Sequence, residues 1–396
     1  MINNMISMNI KSRKHWPIAL DIGHNSVKMI QLCGSPGALG ITAAGKVHID
    51  INNNPEGNEN SEIIISAIRK LLAKGAFRGY EVISSLPNEY LKITNLRLRQ
   101  KETEGIDEAI TQEAASRFNL KPGIDKFDFK YAGTVRQGNE TVNEYILFGT
   151  ANDSLKNHIL ILEKCGLKPV GIDPVPCALF RCFERFMRRQ EDKEQTEVLI
   201  DVGSRTTTVV FGRDGDIGFV KNIPIGTFHM SQEIASRLGI SANEAKMLRR
   251  RLLRKYETNP LSNSNDNESE PDNIDSKDNL DPSTRQTMVD AIDLIAENIA
   301  KEISLCFRYY TVTFRGKRAQ KATISGGGAY ERILLNVLRR YLAVDIILAQ
   351  PLSGIDISSE NFGFEKRDFN SEWAVPVGLG LKSCQHINRA RLALRN

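Results

Sequence analysis

Ile18-Ala19-Leu20-Asp21-Ile22-Gly23-His24-Asn25-Ser26-Val27-Lys28 has a counterpart about 180 positions later, Val198-Leu199-Ile200-Asp201-Val202-Gly203-Ser204-Arg205-Thr206-Thr207-Thr208. Each reads as an apolar strand ending in Asp-x-Gly, then small polar residues, then a second β-rich run. A buried strand places the Asp at its end, and glycine lets the backbone fold tightly around an anion. Successive N–H groups in such a hairpin form a phosphate nest, and the Asp can hold a divalent cation through water. One Asp-x-Gly turn alone carries little, because such turns end many surface hairpins with the Asp capping its own backbone. Two in the same setting, half a chain apart, point to a duplicated fold that clamps a nucleotide between its halves.

A third segment, Ala322-Thr323-Ile324-Ser325-Gly326-Gly327-Gly328-Ala329-Tyr330, reads as a strand and a triple glycine, followed by a helix through Leu334, Leu335 and Leu338. Glycines there let a flat group such as adenine or ribose lie against backbone. A tight strand-to-helix turn is the alternative reading of the triplet taken alone.

The order of first phosphate turn, connecting helix, second phosphate turn and Gly-Gly-Gly turn resembles the actin-like ATPase superfamily. Within it the chain is similar to the PilM family of type IV pilus assembly, relatives of the division protein FtsA. The more specific likenesses are Gly166-Leu167-Lys168-Pro169-Val170-Gly171-Ile172-Asp173 with Pro176 and Ala178-Leu179, then Ile223-Pro224-Ile225-Gly226, and Ala374-Val375-Pro376-Val377-Gly378-Leu379-Gly380-Leu381. The likeness runs from about Trp16 to Leu381. It implies an α/β, actin-like (duplicated ribonuclease H-like) two-lobed fold with a small inserted α+β subdomain in the first lobe. It also implies ATP with hydrated Mg²⁺, and slow hydrolysis at most.

On that frame Asp21 and Asp201 are the expected Mg²⁺ residues. Gly23, Asn25, Ser26 and Lys28 would line the first phosphate turn, and Gly203, Ser204, Arg205 and Thr206 the second. Gly326, Gly327 and Gly328 would form the adenosine turn. Asp173, before the connecting helix, stands where the superfamily orients an attacking water; an N-cap of helix 175–187 is the equal alternative. Departures from the family pattern are specific. His24 replaces a small hydroxyl residue, Thr227 replaces a glycine, and Arg205 is longer than expected, able to meet phosphate or solvent. In the helix that contacts the nucleoside, Lys246 falls at the acidic position and Arg249 at the Lys position, so the carboxylate is missing unless Glu244 serves.

The chain has 396 residues, enough for a large core in two halves. No apolar run approaches the ~18–20 residues that span a bilayer, and no signal peptide is legible. The six cysteines show no CxxC pairing and read as reduced core residues. A net charge of +5 does not imply nucleic acid. The expected division is a disordered tail (1–15), first lobe (16–80), inserted β-α-β-β subdomain (81–150), return and connecting helix (151–194), second lobe (195–384) and basic tail (385–396). Within the second lobe, 257–284 is rich in Asn, Ser, Asp and Glu and reads as a disordered loop. The run Lys246 to Lys255 offers either a solvated basic face or a dock for anionic lipid or an acidic partner.

The leading expectation is a cytoplasmic scaffold at the inner face of the membrane, holding the cytoplasmic tail of a PilN-like inner-membrane protein in a groove walled by 82–150. Other pilus or secretion assembly proteins are expected partners, and self-association is left open. The competing readings are a degenerate, nucleotide-free scaffold, a small-molecule kinase and an FtsA-like division protein. A P-loop ATPase, a zinc protease and an α/β-hydrolase are disfavoured, because their motifs are absent from the sequence.

Overall fold

Ile18, Ala19 and Leu20 have no exposed surface, which requires a strand covered on both faces. In the computed structural model, which describes residues 15–35, 38–50, 58–99, 106–137, 140–186, 195–213, 215–257, 280–314, 319–357 and 370–393, they lie in β1 (Ile18–Ile22) at the centre of the first sheet. β1 pairs antiparallel with β2 (Ser26–Ser35), which pairs with β3 (Ala38–His48). On its other side β1 runs parallel to β4 (Glu81–Leu86), and β4 parallel to β8 (Lys168–Pro174).

The second lobe repeats this plan. β9 (Glu197–Val202) pairs antiparallel with β10 (Thr207–Arg213), and β10 with β11 (Asp216–Ile223); β9 then runs parallel to β12 (Lys321–Ser325), and β12 to β13 (Asp345–Leu348). The orders β3-β2-β1-β4-β8 and β11-β10-β9-β12-β13 are therefore the same sheet built twice. The expected duplication is real in topology, and it sets Asp21 and Asp201 at equivalent strand ends.

Two sequence-derived boundaries need correction. β4 belongs to the main sheet, so the inserted unit begins after it and comprises β5 (Lys92–Arg99), α2 (Ile106–Phe118), β6 (Lys126–Gln137) and β7 (Glu140–Thr150), in sheet order β5-β7-β6. The second half is also not all second lobe: β14 (Ile355–Asp356) adds parallel to β3 at the edge of the first sheet. Of the expected tail 1–15 and the expected loop 257–284, residues 1–14 and 258–279 lie outside the described residues, while Glu257 ends one helix and 282–284 begin another. The backbone of 385–393, expected as a tail, continues the helix that starts at Ala374.

The remaining helices cover the sheets. α1 (Asn58–Lys74) and α3 (Asn152–Lys164) pack on one face of the first sheet through Ile68, Leu71 and Leu162. α5 (Thr227–Leu238), α6 (Ala242–Glu257), α7 (Pro282–Phe314) and α8 (Arg332–Leu342) cover the second through a cluster that includes Met230, Leu252, Ile292, Ile299 and Leu338. Between the lobes lie α4 (Val175–Glu184) and α9 (Ala374–Ala393), whose core takes Ile30 and Leu32 from one sheet and Leu199 and Val210 from the other. Cys177 and Cys182 sit in this core, their thiols pushed up to about 12 by burial, whereas Cys33 is exposed and departs from the expected core role.

His158 of α3 is buried behind β4, its Nε2 3.0 Å from the Ser84 hydroxyl. Burial pulls its pKa from 6.5 to about 4. Below pH 6.5 the unfolded chain therefore binds a proton that the folded chain refuses until about pH 4, so stability falls with pH across that window. The loss attributable to His158 between pH 7 and pH 5 is about 2 kcal/mol. Urea denaturation at the two pH values should show that His158→Gln removes about this much of the difference; an unchanged pH slope would refute the assignment.

Candidate functional site

The two Asp-Gly turns close in the same way. The Gly23 N–H donates to the Ser26 carbonyl (3.0 Å) and the Gly203 N–H to the Thr206 carbonyl (2.9 Å). A Cβ on Gly203 would stand 2.9 Å from that same Thr206 oxygen, so the turn needs glycine there. Strand register supplies the next layer. Asp201 is paired with Ser325 across β9 and β12, and Ser325 Oγ donates to Asp201 Oδ1 (2.9 Å). In the first lobe Ser85 Oγ donates to Asp21 Oδ1 (3.0 Å), while Lys28 Nζ donates to Asp21 Oδ2 (3.1 Å).

The electrostatics follow from this geometry. Burial pushes the Asp201 carboxyl above its ordinary pKa, and the like charge of Asp21 adds to the push; the Ser325 hydrogen bond and Lys28 oppose it. Burial pulls Lys28 down, but Asp21, Glu372 and Asp201 together hold it above its ordinary value. Asp21 and Asp201 are therefore two carboxylates near Lys28 that could hold a divalent cation. Among the described residues no group of three or more His, Cys, Asp or Glu could hold a metal. The pair suits Mg²⁺ held by one or two carboxylates, with water and phosphate completing its shell.

Both turns face one cavity of about 290 Å³. Of the sequence-predicted residues, Asp21, Gly23, Asn25, Ser26 and Lys28 line it from the first lobe. Asp201, Gly203, Ser204, Arg205, Thr206, Arg249, Gly326 and Gly327 line it from the second. Gly326 has φ +83°, and a Cβ there would lie 2.5 Å from the Val202 carbonyl and 2.9 Å from Asp201 Oδ1. Gly328 stands behind the lining, where a Cβ would meet Val202 Cγ1 at 2.4 Å. The triple glycine is thus a close approach of two strand ends as well as a wall of the cavity.

The structure does not bring Asp173 to this cavity. Its carboxylate accepts from Arg181 Nη1 (2.7 Å) and Lys382 Nζ (2.5 Å), joining α4 to α9, and Pro174 occupies the helix N-cap without a side-chain cap. The catalytic and the capping expectation for Asp173 both give way to this ionic staple. Glu244 is also elsewhere: it accepts from the backbone N–H and the hydroxyl of Ser241 at the start of α6. Two further carboxylates do line the cavity, Glu372 and Glu331, the latter three residues beyond the triple glycine; Glu331 is the one beside Arg249. Glu331 and Arg249 form a pair in which both are buried, and Arg249 Nε donates to Ser231 Oγ (3.1 Å). Burial pushes the Glu331 carboxyl up, against the pull of Arg249. Sequence reasoning missed Glu331 because no periodicity marks it; its nearness to the Gly-Gly-Gly turn was the only available signal.

Three further contacts frame the cavity. Lys246 of α6 reaches across to the first lobe, pairing with Asp50 and donating to Asn25 Oδ1 (3.4 Å). His24 Nε2 lies 2.7 Å from Glu89 Oε2 in the short 3-10 turn Asn88–Tyr90; burial raises the Glu89 pKa, but His24 and Arg205 bring it below its ordinary value. Arg205 also stacks over the Phe228 ring at 4.7 Å. Thr227 lines the cavity while its N–H donates to the Gly203 carbonyl (3.1 Å), so the residue that replaces a glycine is part of the second turn's frame.

Two repeated sheets with paired Asp-Gly turns facing one cleft define the actin-like class, and the fold of this chain is actin-like. The family model described as "Type IV pilus assembly protein PilM" matches residues 19–263, and the chain belongs to that family. A model described as "Cell division protein FtsA" matches residues 198–362. Among solved structures, the fold is similar to that of a PilM-PilN type IV pilus biogenesis complex, with TM-score 0.71 and 19% identity over 93% of this chain and 98% of that one. It is also similar to the ethanolamine utilization protein EutJ from Carboxydothermus hydrogenoformans, with TM-score 0.52 and 13% identity over 92% of this chain and 89% of that one. No curated protein matches the sequence.

Proposed function

We propose that this protein is an ATP- and Mg²⁺-binding scaffold of type IV pilus or related secretion machinery. The observation that carries the nucleotide reading is the pair of equivalent carboxylates, Asp21 and Asp201, facing one cavity beside two glycine turns. Asp21 and Asp201 would hold the hydrated cation, which supplies neutralisation of phosphate charge. The backbone of Gly23–Ser26 and Gly203–Thr206, with Lys28, would hold the phosphates, and the Gly326–Gly327 wall with Arg249 and Glu331 would take the nucleoside end. Asp173, the residue expected to orient the attacking water, is committed to Arg181 and Lys382, which favours binding and slow turnover over fast hydrolysis.

In this reading the partner is the cytoplasmic tail of a PilN-like inner-membrane protein, held between the first lobe and the inserted sheet of β5–β7. Family membership and the PilM-PilN likeness favour that partner, and it would place the protein at the inner face of the cytoplasmic membrane. Among the described residues no helix is long and apolar enough to cross a membrane.

Calorimetric titration of ATP with Mg²⁺ into the wild type and an Asp21→Ala/Asp201→Ala variant tests the nucleotide reading. The expected result is binding in the micromolar range, about −8 kcal/mol, that the double variant loses. A wild type that binds no nucleotide overturns the reading and leaves an interaction scaffold on an actin-like frame.

A further inference from the structure

The inserted sheet is joined to the first lobe by the chain itself, through the turn after β4 and the connection from β7 into α3. Its side chains, however, reach the second lobe at two separate places. At the root of the insert, Asn88 Nδ2 donates to Thr208 Oγ1 (3.0 Å) and Thr206 Oγ1 (3.3 Å), and Thr206 closes the second phosphate turn. The next residue, Glu89, pairs with His24 of the first turn. One three-residue turn thus touches both turns of the cleft and runs directly into β5.

The second place lies at the far end of the insert. Glu144 of β7 has no exposed surface, and it accepts from Arg97 Nε (2.7 Å), Asn95 Nδ2 (2.9 Å) and the Tyr309 hydroxyl of α7 (3.1 Å). Arg97 also donates to Thr313 Oγ1 on α7 (3.3 Å). The Tyr309 ring packs at 5.0 Å from Phe219 of β11, and Ile217 and Val220 of β11 share a core with Ile146 and Phe148 of β7. Arg97 and Asn95 hold this buried carboxylate from within the insert, and the Tyr309 hydroxyl is its donor from the second lobe, so parting the two faces strips that hydrogen bond and opens a buried charge to water.

We propose that the inserted sheet is clasped to the second lobe by Asn88 and by the Arg97–Glu144–Tyr309 seam, so that a nucleotide holding the two turns together also holds this sheet in place. The inference rests on the nucleotide reading of the cleft and adds its regulation. The sheet proposed to wall the partner groove is ordered by occupancy of a site that its own strands do not form. A ligand that favours one of two arrangements shifts the other by its differential affinity and no more.

The test is amide hydrogen exchange with the non-hydrolysable analogue AMPPNP and Mg²⁺, on the wild type and on Glu144→Gln/Tyr309→Phe, whose two positions lie away from the cavity, with calorimetry on both. At ligand near 100 times its Kd, amides whose opening requires release of the nucleotide exchange about 100-fold more slowly. In the wild type this slowing is expected in β5 and β7 as well as in β9 and β10. In the double variant β9 and β10 keep it and β5 and β7 lose it. Binding without slowing in β5 and β7, or equal slowing in wild type and variant, refutes the clasp while leaving the nucleotide site intact. Absence of binding to the wild type overturns both. Tyr309→Phe alone, which keeps the ring packing, serves if the double variant does not fold.

Discussion

Gly378→Ala is expected to cost about 3 kcal/mol or more, a large fraction of the roughly 5–15 kcal/mol by which native proteins are stable. α9 crosses α4 at this residue so closely that a Cβ would stand 1.8 Å from the Ala178 carbonyl oxygen and 2.5 Å from its carbon. Backbone cannot yield as a flexible side chain would, so the two helices must separate. The same crossing is stapled by Arg181, which donates to both Asp173 and the Gly378 carbonyl (3.0 Å), and by Lys382 on Asp173. Separation therefore breaks polar and apolar contacts together. Because these helices lie in the core between the lobes, the expected phenotype is loss of cooperative unfolding or of soluble protein. Urea unfolding within about 1 kcal/mol of the wild type would show that the crossing relaxes easily.

Glu331→Ala is expected to destabilise by about 3–5 kcal/mol, the cost of leaving a buried charge without its partner. Arg249 and Glu331 are both nearly out of solvent, and the guanidinium has only Ser231 and the Met230 sulfur as other partners described. The double variant Arg249→Met/Glu331→Leu should recover most of that loss, because well-packed apolar groups replace a buried ion pair at little cost. Denaturant unfolding of both variants measures this. A Glu331→Ala protein as stable as the wild type would mean that Arg249 finds water or another acceptor.

The two Asp-Gly turns and the triple glycine were legible because their logic is local. A strand end, a ring closed over three residues and the need for a missing Cβ are all written within a few positions, as Gly203 to Thr206 illustrates. The repeat of that local pattern then implied the repeated sheet, and the repeated sheet is present in its strand order. The insert's composition of strands and a helix was legible for the same reason, although its boundary was not. Glu81–Leu86 looks like any buried strand, and only its pairing with β1 and β8 assigns it to the main sheet.

Partners across the fold were beyond reach. The role of Asp173 depends on Lys382, which lies 209 positions away, and the carboxylate facing Arg249 comes from 82 positions downstream. Nothing in the spacing of either residue encodes such a meeting. Pattern and turn chemistry by themselves determined that this chain builds one sheet twice and ends the central strand of each in an Asp-Gly turn. Tertiary packing alone decided which charges are satisfied by each other and which face the cleft. The physical reason is range. Backbone conformation is set by neighbours in the chain, whereas a buried charge settles against whatever the packing of distant segments brings within hydrogen-bond distance.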